Sequence, residues 1–533
     1  MASTPPRPSA RPATSPGASG SRTSILAGNP LHDAIGRGRA RGNGQLLEPD
    51  GDVPALDDAA FLDLAARQAA VLAAAGVAPG DRVAAQVPKC IEALALYVAC
   101  VQAGAVFLPL NTAYTERELA YFVGDAEPAV VVLDPSAVAM GERLVAGTRA
   151  CVLTLGAAAD GTLAARAADC VPMQGAVPRA GDDLAAILYT SGTTGRSKGA
   201  MLTHDNLLSN ARTLVAAWAF TPDDVLLHAL PIFHTHGLFV ACNVILLAGS
   251  RMIFQPRFDV ERVLDALPRA SVLMGVPTFY TRLLDEARFD ADRAAGTRLF
   301  ISGSAPLLAS THRAFEVRTG QRILERYGMT ETSMNCSNPY DGERVAGTVG
   351  PPLPGVEIRV RDERGHLVER GEVGTLEVRG PNVFAGYWRM PEKTAEELLP
   401  DGFFVTGDLA SVDAAGYVTI VGRGKDLVIS GGYNIYPKEI ELALDALPGV
   451  FESAVVGAPH PEFGESPVAF VVRDPAASDD EADERAIMAA LGETLARFKQ
   501  PRHVFAIDAL PRNTMGKVQK NVLRERVLTL FDR

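Results

Sequence analysis

Residues 189–199 read Tyr-Thr-Ser-Gly-Thr-Thr-Gly-Arg-Ser-Lys-Gly. Small hydroxyl residues and glycines let backbone N–H groups and hydroxyls wrap phosphate oxygens, and Lys198 adds a positive charge. The order differs from the G-x-x-x-x-G-K-[ST] phosphate loop, because the lysine precedes the final glycine and no Ser or Thr follows it. A flexible surface turn explains a few such residues, not eleven in this order. Four more groups carry chemistry of the same kind. Glu331, in Tyr327–Thr332 (YGMTET), is a hard carboxylate suited to a cation that bridges phosphates. Standing alone at a helix start, it would be a cap. Asp408 in TGDLA and Arg423 in GRGKDLVISGGYNIYP are spaced to share a ligand, although a lone Asp also forms turns. Lys517 lies in a Gly-bounded stretch, LPRNTMGKVQK, where an isolated lysine would be solvated surface.

The elements that must position these groups follow an α/β pattern. Leu56 to Ala75 has helical periodicity, DRVAAQVP is a short strand, and CIEALALYVACVQAGAVFLPL is a helix, a glycine turn and a strand. Ala129–Asp134 and Ala185–Gly192 are near-continuous apolar runs, as strands of a parallel sheet covered on both faces require. From Gly347 the texture changes to short β segments punctuated by Gly and Pro. After Arg423 a smaller α+β unit begins, with strands at LVIS, ESAVVGAP and PVAFVVR. The acidic segment Ala476 to Glu484 reads as a surface loop or helix start. No internal repeat is evident.

The chain has 533 residues, enough for two or more folded units. Its formal net charge of −12 argues against nucleic acid as the main partner. Six cysteines without CxxC or CxH spacing read as reduced thiols of a cytoplasmic protein, neither a disulfide framework nor a zinc site. No apolar stretch is long enough to span a bilayer, so no membrane association is expected. The first residues, rich in Pro, Ser, Ala and Gly, lack the apolar core of a secretory signal and read as a disordered tail.

Taken in order, these motifs resemble those of the acyl-adenylating superfamily: acyl-CoA synthetases, luciferases and the adenylation domains of peptide synthetases. The resemblance runs from about residue 25 to the C-terminus. It implies an α/β fold: a large N-terminal domain of layered α/β subdomains plus a β subdomain, and a small mobile α+β C-terminal domain. The boundaries it suggests are a tail at 1–24, the large domain at 25–424 and the small one at 425–533. It implies that ATP, Mg²⁺ and coenzyme A take part. Thr190, Ser191, Gly192, Thr193, Thr194 and Lys198 would cradle the phosphates. Tyr327, Gly328 and Met329 would hold the adenine, Thr330 would touch phosphate, and Glu331 would hold Mg²⁺. Asp408 and Arg423 would bind the ribose. Lys517 would be the catalytic lysine, and a lysine acyltransferase and deacylase acting on it would be the protein partners. Asp426 would be the hinge, with Ser430, Gly431, Gly432 and Tyr433 on the CoA side. CoA phosphates need basic groups, for which Arg257, Lys438, Arg473 and Arg497 are candidates, with ordinary solvated charge as the alternative for each.

The acid is addressed by two further segments. LPIFHTHGLFVACNVILLAG carries His234 and His236, and MGVPTFYTRLL carries Arg282. A dicarboxylate needs a buried positive partner for its second charge, whereas long-chain and aromatic acids need an apolar tunnel. As whole segments these stretches, with Glu325–Val356 and Pro511–Arg524, resemble malonyl-CoA synthetases. That implies His234 as a gate and His236, Arg282, Ser302 and Ser304 around the acid. The plainer alternatives are packed histidines and a solvated Arg282. Ser333 and Cys336 depart from that family's wording, which leaves methylmalonate open. Other readings are a short- or medium-chain acyl-CoA synthetase, an enzyme that loads a separate carrier protein, and a non-catalytic binding protein.

Overall fold

The computed structural model describes residues 28–49, 55–190, 197–430, 433–461, 463–475, 483–495, 497, 499–514 and 516–531. The helix Ile91–Gln102 is apolar on nearly every face and only Glu92 escapes burial, as a helix enclosed by other elements must be. Asp58–Ala74 packs along it, N-capped by Asp57. Beside these helices runs a seven-stranded sheet whose strands Arg82–Gln86, Val106–Pro109, Val130–Leu133, Cys151–Thr154 and Leu184–Thr190 pair in parallel. A second sheet, of eight strands, includes the parallel set Arg251–Phe254, Val225–His228, Val272–Gly275, Leu299–Ser302 and Leu324–Met329. One apolar core joins residues of both sheets to the helices between them.

The short β segments after Gly347 form a four-stranded antiparallel sheet, Glu357–Arg361, Gly374–Arg379, Phe404–Val412 and Val418–Arg423. Beyond it, Val428–Ser430, Tyr433–Ile435, Val450–His460, Gly464–Arg473 and His503–Ala506 build a last sheet with apolar clusters of its own on both faces. The overall class is the α/β arrangement expected from the sequence.

Two antiparallel pairings frame the site. Leu184–Thr190 pairs antiparallel with Lys198–Thr203, and Thr190 lies opposite Lys198. Glu331 is not at a helix start, which removes the capping alternative. It sits in the turn between the antiparallel strands Leu324–Met329 and Ser333–Ser337. Gly328 is required there, because a Cβ would lie 1.9 Å from the Ser333 carbonyl oxygen.

Candidate active site

Parallel strands leave their functional loops at their carboxyl ends, outside the sheet. Here Val225–His228 leads into the connection holding His234 and the helix His236–Cys242 that His236 opens, Leu299–Ser302 leads to Ser304, Leu324–Met329 to Thr330 and Glu331, and Leu184–Thr190 ends opposite Lys198. Ends of strands from two sheets thus converge on one cleft. Within it, Thr190 Oγ1 is 3.4 Å from Glu331 Oε1. Glu331 is buried, and burial raises the pKa of its carboxyl above the usual value. The Lys198 ammonium lies 4.1 Å over the Tyr387 ring and contacts both Glu397 oxygens, at 3.2 and 3.3 Å.

Asp408 and Arg423 are register partners on adjacent strands, and Arg423 Nε meets Asp408 Oδ1 at 2.7 Å. The Tyr327 hydroxyl donates to the other oxygen of Asp408. Ring and ion pair therefore form one wall, with Met329 sulfur 4.0 Å from the Tyr327 hydroxyl. Lys517 faces the cleft and is more than a third exposed. Crowding by protein lowers its pKa below the usual lysine value; Arg423 and Lys425 act in the same sense, and Asp408 and Asp426 oppose them. Its loop touches the large unit where Thr514 meets Asn111 at 3.4 Å and Gly516 abuts Thr278. Asp426 pairs with Arg524 at 2.5 Å. Ser430 pairs in register with Tyr433 and Gly464. Ser191, Gly192, Thr193, Thr194, Gly431 and Gly432 lie outside the described residues, as does the Tyr433 side chain.

Deeper in the cleft the sequence reading needs correcting. Arg282 lies in the last turn of the helix Pro277–Leu284 and is exposed, so it is not a buried counter-charge. Thr278, on the same helix, meets the Lys517 loop at Gly516. The buried guanidinium is Arg326, 3% exposed, with Nε and Nη2 lacking any hydrogen-bond partner. It packs on Gly303, where a Cβ would come within 2.4 Å of its Cζ. Burial pulls its pKa down to about 9. Beside it, His236 Nδ1 is 3.1 Å from Ser304 Oγ, and His236 Nε2 and the buried Ser302 Oγ have no partner. Ser304 holds a left-handed φ of 71° to point its hydroxyl there. Burial keeps His236 neutral, with the Arg326 charge acting in the same direction, and His234 falls to about 4 for the same reasons. The sequence reading does not single out Arg326. No local signal marks it, because Leu324–Met329 (LERYGM) carries two adjacent charges and does not read as an apolar buried strand.

Of the basic residues considered for CoA, Arg257 borders a cavity of about 230 Å³ also lined by Lys89, Thr112, Ile232 and Phe233. Lys438 lies 4.0 Å from Glu441, and Arg497 is exposed. No helix among the described residues is long and apolar enough to cross a membrane.

Residues 59–388 match the family model described as AMP-binding enzyme, and 439–517 match that of its C-terminal domain. The chain belongs to this family, the acyl-adenylating superfamily, and its chemistry is that of an AMP-forming acyl-CoA ligase using ATP, CoA and a small-molecule acid. Within the superfamily it stands close to the malonyl-CoA synthetases. It is 56% identical to the ATP-bound MatB of Rhodopseudomonas palustris, over 95% of this chain and 100% of that one, with a TM-score of 0.92. Against apo MatB from the same organism, at the same coverage, the TM-score is 0.82, so the arrangement here follows the ATP-bound form more closely. A malonate–CoA ligase of Arabidopsis thaliana is 40% identical over 64% of this chain and 61% of its own length. A feruloyl-CoA synthase of an Amycolatopsis species is 38% identical over 86% and 92%.

Proposed function

We propose that this ligase activates malonate as malonyl-AMP and transfers the malonyl group to CoA. The observation that carries the reading is the Arg326 cluster. A fixed guanidinium with two unpartnered N–H-bearing nitrogens, beside His236 Nε2 and Ser302 Oγ equally without partners, is a polar set with a positive centre that suits an anionic acceptor. A neutral fatty or aromatic tail would leave all of them unsatisfied, at a cost of about 1–3 kcal/mol each. A second carboxylate satisfies them together. A 2-methyl malonate presents the same distal carboxylate and is the second acid to test. The similarity to malonate-activating relatives supports the same reading.

The residues then divide the work. Asp408 and Arg423 hold the ribose and Tyr327 packs on the adenine. Thr190 and Lys198 meet the phosphates. Glu331, buried and facing Thr190, suits Mg²⁺, which keeps one or two carboxylate ligands and completes its shell with phosphate oxygens and water. When bound, that ion would neutralise phosphate charge. Arg326 fixes the distal carboxylate, so the near carboxylate attacks the α-phosphorus in line and pyrophosphate leaves. Lys517 offsets the negative charge that develops in that step. Rotation of residues 425–533 about Asp426 then withdraws Lys517 and admits the CoA thiol to the acyl carbon. Because Lys517 works through its charge, acylation by a lysine acyltransferase would switch adenylation off and a deacylase would restore it.

The test is pyrophosphate release with malonate, methylmalonate, butyrate and ferulate, with and without CoA. Malonate or methylmalonate should lead by at least an order of magnitude in kcat/KM. Preference for butyrate or ferulate would overturn the assignment. Acyl-AMP formation without any CoA-dependent turnover would favour a separate carrier protein as acceptor.

A further inference from the structure

Glu397 belongs to none of the nucleotide motifs, yet its carboxylate sits among their side chains. It ends the short helix Pro391–Glu397. The Tyr387 hydroxyl donates to it at 2.6 Å, Lys198 contacts it at 3.2 Å and Lys393 at 3.0 Å. Burial works against its ionisation, but the bonds from Tyr387 and Lys393 and the Lys198 charge outweigh burial and hold its pKa below the usual glutamate value. Tyr387 also reaches Glu331 Oε1, at 3.1 Å. A tyrosine hydroxyl has one hydrogen to give, and the shorter contact assigns it to Glu397. The ammonium that would meet the phosphates is therefore held by an internal anion, and the Tyr387 hydroxyl stands between that anion and the carboxylate suited to magnesium.

We propose that Glu397 is a positioning residue that competes with phosphate for Lys198: ATP must displace it, and its return to the ammonium loosens pyrophosphate after adenylation. No covalent step is involved. An anion beside a phosphate subsite repels the ligand and neutralises the cation that attracts it, so both effects weaken retention. Lys198 and Glu397 are 12% and 21% exposed, which limits solvent screening without removing it.

The inference rests on Lys198 meeting the phosphates, so that premise needs its own arm. Glu397→Gln keeps the shape and the bond from Tyr387 but removes the charge, while Lys393 keeps Glu396 at 2.7 Å. Magnesium pyrophosphate binding by calorimetry should tighten about fivefold, and the KM for ATP should fall by a similar factor. Lys198→Met should weaken pyrophosphate, and the double variant should bind no tighter than Lys198→Met alone. Unfolding midpoints near wild type exclude a general structural effect. If Lys198→Met weakens pyrophosphate while Glu397→Gln leaves it unchanged or weaker, the competition is overturned and the phosphate role of Lys198 stands. If Lys198→Met changes nothing, both fall together.

Discussion

Arg326→Leu separates a substrate partner from a structural one. The guanidinium is buried and two of its nitrogens have no partner. With a pKa of about 9 it remains charged at neutral pH. Removing one member of a buried ion pair costs on the order of 3–5 kcal/mol, or roughly 150- to 5,000-fold in kcat/KM. Malonate-dependent pyrophosphate release should fall by that factor. Butyrate has no distal carboxylate, so its kcat/KM should change little or rise. The free enzyme gains instead, because the substitution removes an uncompensated buried charge. Its unfolding midpoint, followed by circular dichroism, should hold or increase. ATP KM should stay near wild type, since Arg326 touches neither the Asp408–Arg423 pair nor Lys198. Malonate and butyrate declining in parallel would refute the reasoning. So would a collapse of the unfolding midpoint, because it would make Arg326 a support of the fold.

Lys517→Ala should abolish malonyl-AMP formation while leaving thioester formation from supplied malonyl-AMP largely intact; equal loss of both steps would remove the assignment. Asp426→Pro fixes φ at the proposed pivot, and it should spare adenylation but slow CoA transfer, measured as separate half-reactions. Glu325 supplies a pH test of the fold. Burial raises its carboxyl pKa from 4.5 to about 8. A group bound more tightly to its proton in the folded state stabilises below its unfolded pKa, and that contribution is lost as pH rises through the folded value. The unfolding midpoint of the parent protein should therefore drop between about pH 4.5 and 8 more steeply than that of Glu325→Gln.

Much of the machinery was legible because it depends on local order. The near-continuous apolar runs Ala129–Asp134 and Ala185–Gly192 overlap the strands Val130–Leu133 and Leu184–Thr190. Asp408 and Arg423, fifteen residues apart by their numbers, meet because two antiparallel strands put them in register. Their spacing already hinted at that pairing. The Lys198–Thr203 strand was less visible, because its residues do not alternate and their burial follows from the strand they pair with.

What the sequence by itself determined was the class of protein, because the hydroxyl-glycine run, YGMTET, TGDLA and the motif around Lys517 are each contiguous and together mark an AMP-forming ligase. The tertiary structure decided which charge is buried. Arg282 and Arg326 look equivalent in one dimension, since each is an arginine in a segment of mixed polarity. Burial distinguishes them: the helix Pro277–Leu284 leaves Arg282 exposed, while the covered strand Leu324–Met329 encloses Arg326 against Gly303. The Glu397 contact with Lys198 was equally out of reach, because it joins residues 199 positions apart. Electrostatic strength depends on desolvation and on distances between remote segments, and both are properties of the folded chain.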